Sequence, residues 1–360
     1  MTELRSVDPE RLKETARRAF DQLSGAVTAA MMYLGDDLGL YRALAEAGTS
    51  SPTRLAERAG LDARWVREWL YNQAAAGLVD RAGSDRFCLS PEAEAVLARE
   101  EHPAFGMGMF SQLPALLGVV DRLRDAFRTG RGLDYDVFGA EGARGIERGF
   151  APWLRHFLVP AVIGAVPGLS ERLEAGVRVV EVGCGSGFAL LTLARAFPRS
   201  RFEGYEISQH ALARAREAAG QAGTERVRFH DARQQALPED GRFELALSLD
   251  CLHDMARPEQ VAAALRRALA PEGVWIIAEV KAHASFEENL ERNPMAALMY
   301  GISVLSCLSS SLAEPGGAGL GTLGLPEERL GRLVQEAGFG RFARLAVEHP
   351  INAFYEARPC

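Results

Sequence analysis

The sequence predicts an α/β domain built on a parallel sheet, preceded by an all-α and winged-helix unit. Two patterns carry this reading. From Gly176 onward, short β-branched runs alternate with helices rich in Ala, Arg and Leu, the alternation of a parallel α/β sheet. Residues 50–98 read in order as a Ser/Pro helix start, a short helix, a Gly60-Leu61-Asp62 turn, a long helix and a hairpin around Gly83-Ser84 that ends at Leu89. With 360 residues, 48% of them hydrophobic, the chain is long enough for two domains with separate cores.

The elements follow in chain order. Residues 8 to about 33 read as a helix, because Leu12, Ala16, Phe20, Leu23, Ala26 and Ala30 recur at steps of three and four. That stripe needs a partner surface, and a homodimer joined through residues 8–98 would supply it. A second helix covers 38–48, and the winged-helix signature follows. Read functionally, the helix near 62–75 would enter DNA. However, residues 54–86 carry six arginines against five acids, without the basic excess of a groove reader. Nucleic acid is therefore an unlikely partner, and dimerisation or covering a substrate is the expected role. Residues 99–175 form a helical connector rich in aromatics and glycine, expected to cover the active site. The α/β domain occupies 176–360 and carries a lid insertion at 282–324.

Composition removes other classes. The formal charge of -7 is spread along the chain with no basic run. Lys13 and Lys281 are the only lysines, so Schiff-base chemistry has almost no candidates. The five cysteines (Cys88, Cys184, Cys251, Cys307, Cys360) are irregularly spaced with no CxxC pair, as expected of reduced thiols in a cytosol. The charged N-terminus and the lack of any long apolar run read as a cytoplasmic protein without a membrane span.

The chemistry concentrates at VRVVEVGCGSGFALLTLARAF (177–197), a buried strand, a turn with Gly183, Gly185 and Gly187, and a helix, with Glu181 also expected at the cofactor. Glycines there allow a tight turn, and the helix N-terminus directs its N–H groups at an anionic group. A dinucleotide fingerprint would want glycine at 188, where this chain has Phe188. That departure turns the reading toward S-adenosylmethionine. Three later signals agree: RFEGYEIS ends in Glu206 beside Ile207, with a carboxylate suited to ribose hydroxyls, and VRFHDA ends in Asp231 and Ala232, suited to adenine. FELALSLDCLHDM reaches Asp250 and Cys251 beside the methionine end. A fifth strand, GVWIIAEV, is expected after a helix closed by LAPEG, and His230 is expected to end the third strand.

On these residues, 176–358 resemble a Rossmann-like class I methyltransferase. The whole chain resembles the winged-helix-plus-Rossmann small-molecule O-methyltransferases of plants and bacteria. More narrowly, DCLHDM (250–255), LAPEGVW (269–275) and the N-P-x-x-x-L-M-Y-G-x-S run (293–303) resemble a bacterial group with a regulator-like winged helix, some of whose relatives methylate small thiols. The resemblance implies His253 as general base and Glu279, on the fifth strand, as the residue that orients it. Met255 replaces the family tryptophan, which puts aromatic stacking of substrate in doubt. An unperturbed imidazole titrates near ~6.5, suited to removing a proton at neutral pH, although His253 also reads as a helix-start cap and Glu279 as a satisfied strand end.

Tyr135 and Trp153 in the connector, Asp254 beside the base, and Asn293, Met299, Tyr300 and Ser303 in the lid are the expected substrate wall. Cys251, His253 and Cys307 lack the spacing of a four-ligand metal site, so no metal is expected. Together these readings point to S-adenosylmethionine-dependent methylation of the oxygen or sulfur of a small molecule. A cofactor-binding regulator that uses the winged helix on DNA is the alternative.

Overall fold

A computed structural model of the chain describes residues 7–359, so Cys360 and the first six residues of the expected N-terminal domain lie outside the described residues. The chain divides into two compact units, Met1–Leu113 and Pro114–Cys360. The first unit therefore takes in the start of the expected connector.

In the first unit α1 (Pro9–Asp37) begins where the Asp8 carboxylate accepts the N–H groups of Glu10 and Arg11, with Pro9 in the first turn. It is followed by α2 (Leu40–Ala47), β1 (Thr49–Ser50), α3 (Pro52–Ala59), α4 (Ala63–Ala75), β2 (Asp80–Arg81), β3 (Phe87–Cys88), α5 (Pro91–Leu97) and α6 (Met107–Ser111). The strands form a small sheet ordered β1-β3-β2, the expected wing. Leu44, Leu55, Val66 and Leu70 fill the core. Trp69 lies over Gly35, where a Cβ would sit 2.4 Å from the indole, and donates its Nε1–H to the Met31 carbonyl at 2.9 Å. The other face of α1 is unburied: Leu12, Phe20 and Leu23 are 58%, 68% and 58% exposed.

The second unit starts with α7 (Leu113–Gly118), α8 (Val120–Thr129), a 3-10 turn at Tyr135–Phe138, α9 (Gly139–Phe157) and α10 (Leu169–Ala175). Then come β4 (Arg178–Val182), α11 (Phe188–Ala196), β5 (Arg201–Glu206), α12 (Gln209–Gln221), β6 (Val227–Asp231), β7 (Phe243–Leu249), α13 (Pro258–Ala268) and β8 (Leu269–Val280). The insertion folds as α14 (Phe286–Arg292), α15 (Ala296–Leu305) and α16 (Cys307–Ser311), and α17 (Glu327–Glu336), β9 (Phe339–Arg344) and β10 (Asn352–Pro359) finish the chain. The seven-stranded sheet runs β6-β5-β4-β7-β8-β10-β9, parallel through β8, with β10 antiparallel to both β8 and β9.

Alternation along the strands serves two cores. Val179, Leu245, Leu247 and Ile276 pack on one face of the sheet, and Val180, Ala246, Trp275 and Ile277 on the other. One boundary differs from expectation. LAPEG does not close a helix; α13 stops at Ala268, Leu269 already pairs with Phe243, and the ladder is irregular before Leu245 meets Val274. His230 falls one residue short of the strand end, where Asp231 pairs with Glu206. No helix among the described residues is long and apolar enough to cross a membrane.

Candidate active site

The turn after β4 is shaped by what lies behind it. Gly183 has φ 72°, and a Cβ there would sit 2.7 Å from Cys251 Sγ; Gly187 has φ 74°, and a Cβ there would sit 2.3 Å from the Phe229 ring. Glu206, at the end of β5, is 7% exposed and ties the turn together. Its Oε2 accepts the Gly185 N–H and its Oε1 those of Ile207 and Ser208, each at 2.8 Å. Two of its lone pairs on Oε1 are thereby used, so one lone pair on Oε2 remains for a ligand hydroxyl, fewer than the sequence suggests. Burial raises the Glu206 carboxyl above its usual range, against the pull of those three N–H groups.

Glu181 is 2% exposed and its Oε2 has no hydrogen-bond partner. Burial and the neighbouring Glu206 push it well above the ordinary carboxylate range. A buried acceptor left over beside an open turn fits a ligand that brings a donor. Asp231 uses Oδ1 on the Arg233 N–H at 2.9 Å and Oδ2 on the side-chain amides of Gln209 and Gln234, both at 2.8 Å; the Ala232 N–H goes to the Glu206 carbonyl.

The second centre lies where β7 and β8 end. His253, in a 3-10 turn at Leu252–Asp254, and Glu279 are both 2% exposed. His253 Nδ1 meets Glu279 Oε2 at 2.6 Å, while Glu279 Oε1 accepts the Leu252 N–H at 2.9 Å, so the carboxylate holds both the ring and the turn that carries it. His253 Nε2 lies 3.1 Å from Asp254 Oδ1, and Cys307 Sγ shares this side: the His253, Asp254 and Cys307 ligand atoms all lie within 4.8 Å of one another. Asp250, His253 and Glu279 form a second such group. Burial opposes charge on His253, yet Glu279 and Asp254 outweigh it and hold the imidazole's proton well above the ordinary range. This departs from the near-neutral imidazole that the sequence alone suggests.

Two supports were not legible beforehand. Asp250 has a left-handed backbone (φ 60°), and Asn352 Nδ2, from the start of β10, donates to its Oδ1 at 2.7 Å. Burial lifts Asp250 to about 7, with His253 pulling down and Glu279 pushing up. Cys251 donates its thiol to the Val182 carbonyl at 3.3 Å.

A strap from the connector reaches both centres. Asp134 receives Arg233 at 2.9 and 3.0 Å, and Asp136 Oδ2 accepts the Gln209 N–H at the start of α12. Between them burial, with the negative charge of Asp254 and Glu206, pushes the Tyr135 phenol well above the ordinary range. On the lid side the Gly132 N–H donates to the Leu312 carbonyl and the Leu133 N–H to Ser309 Oγ, while Ser311 Oγ donates to the Met255 carbonyl.

The other expected wall residues have structural partners. Trp153 stacks on Phe354 and meets His349 edge-on, and Ser303 Oγ accepts the Thr322 N–H. Met299 packs with Val280 and Leu323, and Tyr300 lies against Phe286. Asn293 accepts the Met295 N–H and lines a cavity of about 660 Å³ with Met299, Val280 and Ala353. Cys307, which the sequence offered beside His253 only as a metal ligand, is the residue at His253 that the expected wall lacked.

Two segments of the chain resemble known families. Residues 173–338 match the family described as a methyltransferase domain, and residues 26–99 the Rv2258c-like winged HTH domain. The chain carries a methyltransferase domain behind a winged-helix one. Over 162 residues it is 26% identical to the malonyl-[acyl-carrier protein] O-methyltransferase of Geobacter sulfurreducens, covering 44% of this chain and 54% of that protein. The chain spans between half and three-fifths of the length of the first curated relatives it matches. The mitomycin 7-O-methyltransferase MmcR superposes with a TM-score of 0.69 at 18% identity, covering 98% of this chain and 100% of that one. Human N-acetylserotonin methyltransferase, solved in complex with SAM, superposes with a TM-score of 0.65 at 19% identity, covering 99% and 100%. At these identities the likeness is one of fold. The methyltransferase domain thus includes the glycine turn, Glu206, Asp231, His253 and Glu279.

Proposed function

We propose that this chain transfers a methyl group from S-adenosylmethionine to the oxygen or sulfur of a small molecule, with His253 taking the acceptor's proton. The observation that carries the reading is the buried His253–Glu279 pair at 2.6 Å, set beside a glycine turn within one methyltransferase domain. S-adenosylmethionine supplies an electrophilic methyl on a sulfonium. The residues that fit it are Glu206, with its remaining lone pair for a ribose hydroxyl, Glu181 with its unpartnered buried oxygen, and Asp231 with Ile207 and Ala232 at the adenine end. Asp250 and Cys251 stand at the methionine end.

What the chain itself must do is align the acceptor, exclude water and hold a proton. Glu279 occupies Nδ1, so the acceptor's proton would go to Nε2, which faces Asp254 Oδ1 at 3.1 Å. The strap and α16 cover that side and keep water out. A homodimer through the first unit supplies the surface that the exposed stripe of α1 lacks. The winged-helix match raises DNA binding as a second reading. Arg58, Arg64 and Arg67 there pair with Glu46, Glu68 and Asp85, which leaves little positive field for a phosphate backbone and favours the enzyme.

Methyl-labelled cofactor offered with a panel of phenols, thiols and carboxylates tests the proposal. Label is expected in at least one small acceptor. Salt-sensitive duplex binding with no transfer to any nucleophile would favour the regulator instead.

A further inference from the structure

We infer that Asn352 is a positioning residue: from the start of β10 it holds Asp250 as a further carboxylate against His253, beside Glu279. This rests on the reading of His253 as the base and adds a residue to its support.

The fold brings Asn352 to this place from 102 positions away. β10 lies antiparallel against β8, and the first pair of their ladder sets Asn352 opposite Val280, one residue past Glu279. The turn that leads into β10 is fixed by its own bonds: the N–H groups of Asn352 and Ile351 both donate to His349 Nδ1, at 2.8 and 3.1 Å, and the Ile351 carbonyl accepts the Lys281 N–H. Asn352 is 4% exposed, and its Nδ2 donates to Asp250 Oδ1 at 2.7 Å. Asp250, His253 and Glu279 each bring one polar atom within 4.8 Å of the other two.

An aspartate is a poor choice for a turn that serves the backbone alone. Asp250 has φ 60°, the left-handed region that glycine enters without strain and that asparagine tolerates with no charge to desolvate. A partly buried carboxylate is disfavoured there unless a positive charge faces it. His253 supplies that charge when it takes a proton: the imidazolium lowers the Asp250 carboxyl, and by the same coupling ionised Asp250 favours the imidazolium. Asn352 suits this role, since an amide donates a hydrogen bond without the positive charge by which a lysine or arginine would cancel the carboxylate's pull on the ring. The other groups facing His253 are Glu279 from β8, Asp254 in its own turn and Cys307 from α16, with Cys251 and Tyr135 in electrostatic reach of the same carboxylates.

The titration of His253 itself provides the test. Histidine carrying an isotope label at Cε1 is followed by NMR against pH in the full chain with S-adenosylhomocysteine, and the His253 signal is assigned by its loss in His253→Asn. Asn352→Leu, similar in size but without the donor, is expected to lower the His253 midpoint by at least ~0.5 pH unit, about threefold in its ionisation constant. Asp250→Asn is expected to lower it as well. Asn352→Leu added to Asp250→Asn should move it no further, because no carboxylate is left for the donor to hold. The rising limb of kcat/KM for methyl transfer should follow the midpoint. A residue that only braces β10 would lower the melting temperature and leave the midpoint in place. If Asn352→Leu does not fold, Asn352→Ala carries the same comparison. An unmoved midpoint in a folded Asn352 variant or in Asp250→Asn, or a second drop of equal size in the double variant, overturns the inference. Labelled transfer keeps the two readings apart. The expected midpoints without transfer to any acceptor would sink the methyl-transfer reading and leave the coupling, whereas transfer with unmoved midpoints would sink this inference alone.

Discussion

At the scale of single residues, two carboxylates decide the state of His253. Burial works to strip its proton, but Glu279 at 2.6 Å and Asp254 at 3.1 Å hold it on and raise the imidazole above its ordinary range. A base must be empty before it can act, and kcat/KM should therefore rise with pH through and beyond the ordinary imidazole range. The sign for stability is opposite: the raised folded-state pKa stabilises the fold at low pH, and this is lost as pH climbs through it. Removing one carboxylate should ease release of the proton. Glu279→Gln is expected to shift the rising limb of the pH profile down by about one pH unit or more and to lower its plateau, because the ring loses its fixed orientation; an unmoved limb would contradict the coupling. At the other centre, Glu206→Gln replaces an acceptor of three backbone N–H groups with a side chain that must turn a donor toward one of them. Hydrogen bonds to a charged group are worth about 1.5 to 3 kcal/mol, so cofactor affinity should fall at least ~10-fold by calorimetry. The positions of Glu206, Asp231, His253 and Glu279 could be read from the sequence because each lies at or just past the end of a strand. That of Asn352 could not, since its partner Asp250 lies far away in sequence.

At the scale of elements, the glycine turn and the alternation of strands and helices were readable because both are local patterns with a fixed period. The start of β8 was not, because an irregular ladder lets LAPEG enter the strand. The strap was hidden for a different reason: its hold on the domain consists of side chains from distant segments, such as Arg233 on Asp134 and Ser309 on Leu133. Its two attachments should differ in weight. Arg233 and Asp134 are 41% and 60% exposed, and an exposed pair of this kind is worth about 0 to 1 kcal/mol, so Arg233→Ala should move the melting temperature by no more than a few degrees. Gly132 is tighter, since a Cβ there would lie 1.8 Å from the Ser309 carbonyl oxygen. Gly132→Ala must push the strap off α16, with an expected cost of about 1 to 3 kcal/mol, the usual range for overpacking, and a loss of turnover. Thermal melting of the two variants side by side checks the ranking, and equal melting temperatures would refute it.

At the scale of the whole molecule, the pattern of α1 anticipated a partner, and Leu12, Phe20 and Leu23 are exposed in the single chain. Light scattering is expected to report a dimer, and charged residues at Phe20 and Leu23 to yield a monomer; a monomer from the unaltered chain would remove the dimer. Whether His253 is the base of the proposed catalyst is read from the rate of methyl transfer by His253→Ala across acceptors of graded pKa. Cofactor affinity is expected to stay unchanged, and the rate with phenols to fall roughly 100-fold or more, the usual scale for removing a general base, with the loss shrinking toward none for thiols already ionised in solution. A variant with unaltered rates on every acceptor, phenols included, would contradict it.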